Sequence, residues 1–142
     1  MFSSLPKDTM IYTIYGARYF ETTRMMEHAL AGMHNDPKNI IFQLKTVLSV
    51  KKYDLDIFRE IITNFQKRGV TIYLCEATPL VKTKLENAGL LNEVGNRYFD
   101  SMDDVLKNLP QIPNRIKNRT LKRLILTVFP LKLARKVIQH CK

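Results

Sequence analysis

The chain has 142 residues, 45% of them hydrophobic, and a net charge of +10, which suits one ordinary domain with a core of its own and no disulfide or metal staples. Nine of its 23 Lys/Arg and none of its 13 Asp/Glu lie in residues 111–142, so residues 1–110 are nearly neutral, with 14 basic against 13 acidic residues. That asymmetry excludes a uniformly basic binder and suits a folded body, residues 1–110, joined to a basic extension, residues 111–142, that docks on an anionic surface.

The first strand falls at residues 10–15, Met-Ile-Tyr-Thr-Ile-Tyr, before Gly16. The period then changes. From Thr22 to Met33 the apolar residues Met25, Met26, Ala29, Leu30 and Met33 recur at helical spacing until Asn35-Asp36-Pro37 ends the segment. Residues 39–47 read as a central strand, apolar without interruption at its start because both of its faces are buried. Asp54 can cap a helix whose inner face is Leu55, Phe58, Ile61, Ile62 and Phe65, with Lys67 and Arg68 at its negative end and Gly69 just beyond. Residues 70–75 are the next strand, and Thr78-Pro79 opens a helix carrying Leu80, Val81, Leu85 and Ala88 that stops at Gly89. Tyr98-Phe99 makes a short edge strand, and Ser101 with Asp104 caps a last helix through Leu109. Alternation of this kind implies right-handed crossovers and a mostly parallel sheet covered by helices, an α/β fold.

No run approaches the ~18 apolar residues of a membrane span, and no basic-then-apolar secretion signal opens the chain, so it reads as soluble. Cys75 and Cys141 have no C-x-x-C partner and read as free thiols of a reducing, cytoplasmic compartment. His28 and His34 are six residues apart, on different helix faces, and His140 is remote, so no metal trio follows. Gly-rich phosphate motifs are absent, and Asp54, Asp56, Asp103 and Asp104 are helix-start residues by position. No catalytic, metal or cofactor set is expected.

In element order and local motifs the chain resembles a STAS domain of the type attached to SulP-family anion transporters. Three segments carry the resemblance: residues 11–21 (Ile-Tyr-Thr-Ile-Tyr-Gly-Ala-Arg-Tyr-Phe-Glu), residues 38–47 (Lys-Asn-Ile-Ile-Phe-Gln-Leu-Lys-Thr-Val), and residues 67–76 (Lys-Arg-Gly-Val-Thr-Ile-Tyr-Leu-Cys-Glu) running into residues 81–91 with their Ala-Gly-Leu-Leu ending. Residues 99–106, Phe-Asp-Ser-Met-Asp-Asp-Val-Leu, follow in the family's order. The resemblance spans about residues 10–109 and implies a four- to five-stranded, mostly parallel or mixed sheet with packed helices, to which a basic helical extension is added here. It further implies a non-enzymatic regulatory domain beneath a sulfate/anion transporter, or a freestanding protein that binds a regulator as anti-sigma-factor antagonists do. Related antagonists carry a phosphorylatable Ser/Thr at the start of the helix after the central strand. Here the equivalent positions are Lys51, Lys52, Tyr53 and Asp54, and the acceptor hydroxyl is lost.

Lys51 and Lys52 stand before a helix N-terminus that already favours anions, so they are candidates for a phosphate-bearing ligand such as a nucleotide, or for an acidic partner protein. In the extension Leu121, Leu124, Ile125 and Val128 fall on one helical stripe, resumed after Pro130 by Ala134, Val137, Ile138 and Cys141. Arg119, Lys122, Arg123, Lys132, Arg135 and Lys136 lie between them. Such a basic amphipathic segment either lies on an anionic membrane surface or packs its stripe on the domain or a second copy. Its one aromatic is Phe129 and it has no DNA-binding motif, so nucleic acid is not expected.

Overall fold

The computed structural model describes residues 8–15 and 19–110. The expectations for Cys141, His140 and the basic residues Arg119, Lys122, Arg123, Lys132, Arg135 and Lys136 lie outside the described residues.

Apolar runs of strand length become β1 (Thr9–Tyr15), β2 (Asn39–Thr46), β3 (Thr71–Cys75) and β4 (Tyr98–Phe99). They form one sheet in the order β1-β2-β3-β4, with every neighbouring pair parallel. Parallel neighbours need crossovers. These are α1 (Tyr19–Met33), α2 (Lys52–Lys67), and the pair α3 (Pro79–Asn87) and α4 (Leu90–Glu93), while α5 (Met102–Asn108) follows β4. The expected α/β architecture is the one the chain adopts.

The two-residue period of a strand sorts the side chains to two faces. Met10, Tyr12, Ile14, Ile40, Phe42, Leu44, Ile72 and Leu74 point into the main core, which α1 to α4 close. Phe42 is at its centre, edge-on to Phe58 at 5.3 Å and to Tyr12 at 6.0 Å. The other face holds Ile11, Ile41, Tyr73 and Cys75 under Met102 and Val105 of α5 and Leu109 just after it. Register places Ile41 beside Ile11 and Tyr73, so an internal strand buried on both faces must be apolar at successive positions.

Local chemistry sets most helix ends. Thr78 Oγ1 accepts from Val81 N at 3.3 Å with Pro79 in the first helical position, and Ser101 Oγ accepts from Asp104 N at 3.1 Å. Gly69 ends α2 at φ 87°, in the left-handed region where a side chain is costly, and the amides of Arg68 and Val70 both close onto Phe65 O at 3.0 Å. α2 starts at Lys52, not after Asp54: the Asp54 carboxylate reaches back from the third helical position to accept from Lys51 N at 2.8 Å. An ammonium has no lone pair to accept a bond from that turn, and the Asp54 carboxylate satisfies the Lys51 amide. α1 likewise begins earlier than its apolar spacing suggests, at Tyr19. Three residues expected on inner faces, Met25, Met33 and Leu80, are 62%, 37% and 56% exposed, because Met26, Leu30, Val81 and Leu85 fill the core from those helices. No helix among the described residues is long and apolar enough to cross a membrane.

Candidate functional site

In a parallel sheet the loops that follow the strands gather at one edge, and the candidate residues lie there. The β2–α2 loop is pinned from inside by Val47 and Val50, both buried, and from outside by Lys84 of α3, whose Nζ donates to Val50 O at 3.0 Å. Between the two buried valines Leu48 faces outward. Leu48 is 74% exposed and Tyr53 59%, and Leu80 at the start of α3 is exposed at the same end of the sheet. The Tyr53 hydroxyl donates to Glu21 Oε2 of α1 at 3.4 Å, which joins α1 to this edge as well.

Lys51, Lys52, Tyr53 and Asp54 are therefore brought together on the first turn of α2. The Lys52 charge is already engaged. Lys52 Nζ pairs with Asp56 at 3.1 Å, four residues along the helix, and Asp54 occupies the Lys51 amide. Two carboxylates, those of Asp54 and Asp56, thus stand beside the lysines on this turn. The exposed Lys52–Asp56 pair itself adds little stability, about 0.3–0.5 kcal/mol.

Two partly buried polar clusters escaped the sequence reading. At the opposite end of the sheet, Arg68 sends Nη1 to Glu27 Oε2 at 2.6 Å and forks onto Asp36, Nε to Oδ2 at 2.7 Å and Nη2 to Oδ1 at 3.0 Å. Asn64 Nδ2 donates to the other Glu27 oxygen at 3.0 Å, and the guanidinium covers the Phe65 ring at 5.0 Å. The hydrogen bond to Asp36 is the main influence raising the Arg68 pKa above its ordinary value, against the opposing effect of burial. Glu27 shares the buried stripe of α1 with Thr23, Met26 and Leu30. A carboxylate on an apolar stripe was the available signal, but its partner is 41 residues away.

The second cluster crosses the far face of the sheet. Thr13 Oγ1 donates to Gln43 Oε1 at 2.6 Å, Gln43 Nε2 to Glu76 Oε1 at 2.8 Å, and Met102 N, at the start of α5, to Glu76 Oε2 at 2.9 Å. Glu76 holds this position at φ 62°, a left-handed conformation that costs a residue with a Cβ on the order of 1 kcal/mol. Next to it Cys75 is fully buried, and desolvation, with the Glu76 charge second, pushes its thiol up to about 12. A thiol so placed stays protonated and unreactive at neutral pH.

With four parallel strands, one-sided crossovers and this edge in place, residues 5–105 match the family model described as STAS domain. The chain belongs to the STAS domain family. Among solved structures, this STAS domain is similar to the SulP transporter STAS domain from Vibrio cholerae, at 24% identity and a TM-score of 0.68, over 72% of this chain and 80% of that one. It is also similar to a sulfate transporter family protein from Wolinella succinogenes, at 21% identity and a TM-score of 0.64, over 81% and 91% of the two chains. A third likeness is to a candidate anti-sigma factor antagonist from Thermotoga maritima, at 15% identity and a TM-score of 0.56, over 72% and 88%. At these identities the likenesses speak for the fold. No match is found among curated proteins.

Proposed function

We propose that this STAS domain is a non-catalytic regulatory module of a SulP-type sulfate/anion transporter, held at the cytoplasmic face of the membrane by residues 111–142. The observation that carries the reading is the charge asymmetry: a near-neutral STAS body followed by 32 residues with nine Lys/Arg and no Asp/Glu. Each Lys/Arg near an anionic leaflet contributes ~1 kcal/mol, so six of them are enough to retain a domain there. The partner at the β2–α2 edge is then the transporter's membrane domain, which meets Leu48, Tyr53 and Leu80 with apolar surface and Lys51 with a carboxylate.

A second reading is a freestanding STAS protein that binds a regulator at that same edge without a phosphoswitch. It is favoured by one specific observation, the exposure of Leu48, Tyr53 and Leu80, and it needs no membrane. Co-sedimentation of the full chain with vesicles of phosphatidylcholine alone, or of phosphatidylcholine with phosphatidylserine, separates the two. The transporter reading expects binding to the anionic vesicles only, lost when Arg119, Lys122, Arg123, Lys132, Arg135 and Lys136 are all changed to Gln. Absence of binding to either vesicle removes the membrane arm and leaves the regulator-binding reading. Calorimetric titration with ATP or GTP is expected to be silent, and measurable heat would restore a nucleotide at Lys51 and Lys52.

A further inference from the structure

Among the described helices, α5 alone packs on the face of the sheet opposite the main core. Its seven residues make two turns, well short of the length at which a helix persists alone in water. It therefore exists only while docked. Docking rests on Met102, Val105 and Leu109 against Ile11, Ile41, Tyr73 and Cys75, and on the hydrogen bond from Met102 N to Glu76 Oε2. The same carboxylate holds Gln43 of β2 through its other oxygen, so one side chain in an unfavourable backbone conformation joins the helix to an internal strand. The main core is on the other face of the sheet and shares none of its helices with this contact.

We infer that α5 is a strap that opens as one unit from an otherwise folded sheet, and that Glu76 is its latch. Opening exposes Ile11, Ile41, Tyr73 and Cys75 while α1 to α4 stay packed on the opposite face. Because the chain continues from Pro110 into residues 111–142, anything that grips that stretch pulls on α5 before it pulls on any strand. The inference stands whether the gripping surface is lipid or protein.

Cys75 supplies the reporter, since it is buried under the strap and becomes the sole thiol once Cys141 is changed to Ser. In the full-length Cys141→Ser chain under native conditions, labelling of Cys75 by a disulfide reagent is compared with hydrogen exchange of amides in α5 and in β2. A strap predicts that Cys75 and the α5 amides open together, about tenfold or more above the frequency at which β2 opens. Glu76→Ala then raises Cys75 labelling by about another tenfold with β2 exchange unchanged, as expected for loss of a hydrogen bond to a charged acceptor. Glu76→Gln, which keeps the shape but lacks the second acceptor oxygen, gives a smaller rise. The inference is overturned if Cys75, α5 and β2 all exchange in one global transition, or if both Glu76 variants speed the three alike. The wild-type comparison decides the point even if Glu76→Ala does not fold.

Discussion

Loss of the Arg68 guanidinium would leave the buried Glu27 carboxylate and its neighbour Asp36 without their cation. Stranding a buried charge in this way is worth about 3–5 kcal/mol, so Arg68→Ala should lower the urea midpoint by a large fraction of the domain's stability. Arg68→Lys should recover little of it, because one ammonium cannot reach Glu27 while forking onto Asp36. Equilibrium unfolding of the two variants beside the parent checks both statements. Cys75 makes a prediction of opposite character. Its folded pKa of about 12 lies above the ordinary 9.0, so between those values the unfolded chain releases a proton that the folded chain keeps. Stability from this group is intact below pH 9 and falls as pH rises, by at most about 1.4 kcal/mol per pH unit. The slope of unfolding free energy between pH 9 and 11 should therefore be shallower in Cys75→Ala than in the parent. Equal slopes would mean that the thiol is not sealed in the fold.

At the level of elements, helix ends and strand interiors answer to different forces. Gly69 has open space around the position of a Cβ, so Gly69→Ala meets no neighbour and suffers only from its φ of 87°. A loss of about 1 kcal/mol is expected, with the native fold retained. Phe42→Ala instead empties the centre of the main core and should cost about 3–5 kcal/mol, measured by the same unfolding experiment. These two cases also explain what could be foreseen from the residues alone. Strands β1 to β3 were legible because burial on both faces demands an unbroken apolar run, and the end of α2 was legible because Gly69 has a local job. Met25, Met33 and Leu80 were misplaced because an apolar stripe does not reveal which of its margins meets the sheet. α4, four residues long, has no period to read, and only Gly89 at φ 80° marks where the chain turns into it. The start of α2 was displaced because Asp54 works from inside the helix. Glu27 and Glu76 stayed hidden for another reason: their partners come from segments 26 to 41 residues away, and no local pattern encodes such a meeting. The candidate positions Lys51 to Asp54 were found through resemblance, whereas the outward-facing apolar surface of Leu48, Tyr53 and Leu80 emerged only from their exposure.

For the whole molecule, the separation of charge into a neutral body and a basic extension implies two properties that respond differently to salt. The Debye length falls from about 30 Å at 10 mM to about 8 Å at physiological ionic strength. If residues 111–142 dock on a membrane as proposed, raising salt over that range should release the chain from anionic vesicles while leaving its unfolding midpoint nearly unchanged, because the body is held by apolar packing and short, partly buried ion pairs. Sedimentation and urea titration of one preparation at both salt concentrations tests the separation, and a midpoint that moved with vesicle binding would tie the extension to folding.

The strand order has a consequence for how the chain is made. Each described strand after β1 pairs with the described strand synthesised just before it, so among these four no later one is inserted between two earlier ones. Every βα unit adds to the edge left by its predecessor, and loop closure never spans more than one crossover. A nascent chain can thus assemble its sheet in the order in which it is translated, from β1 outward, with α5 as the last piece laid down before the basic extension arrives.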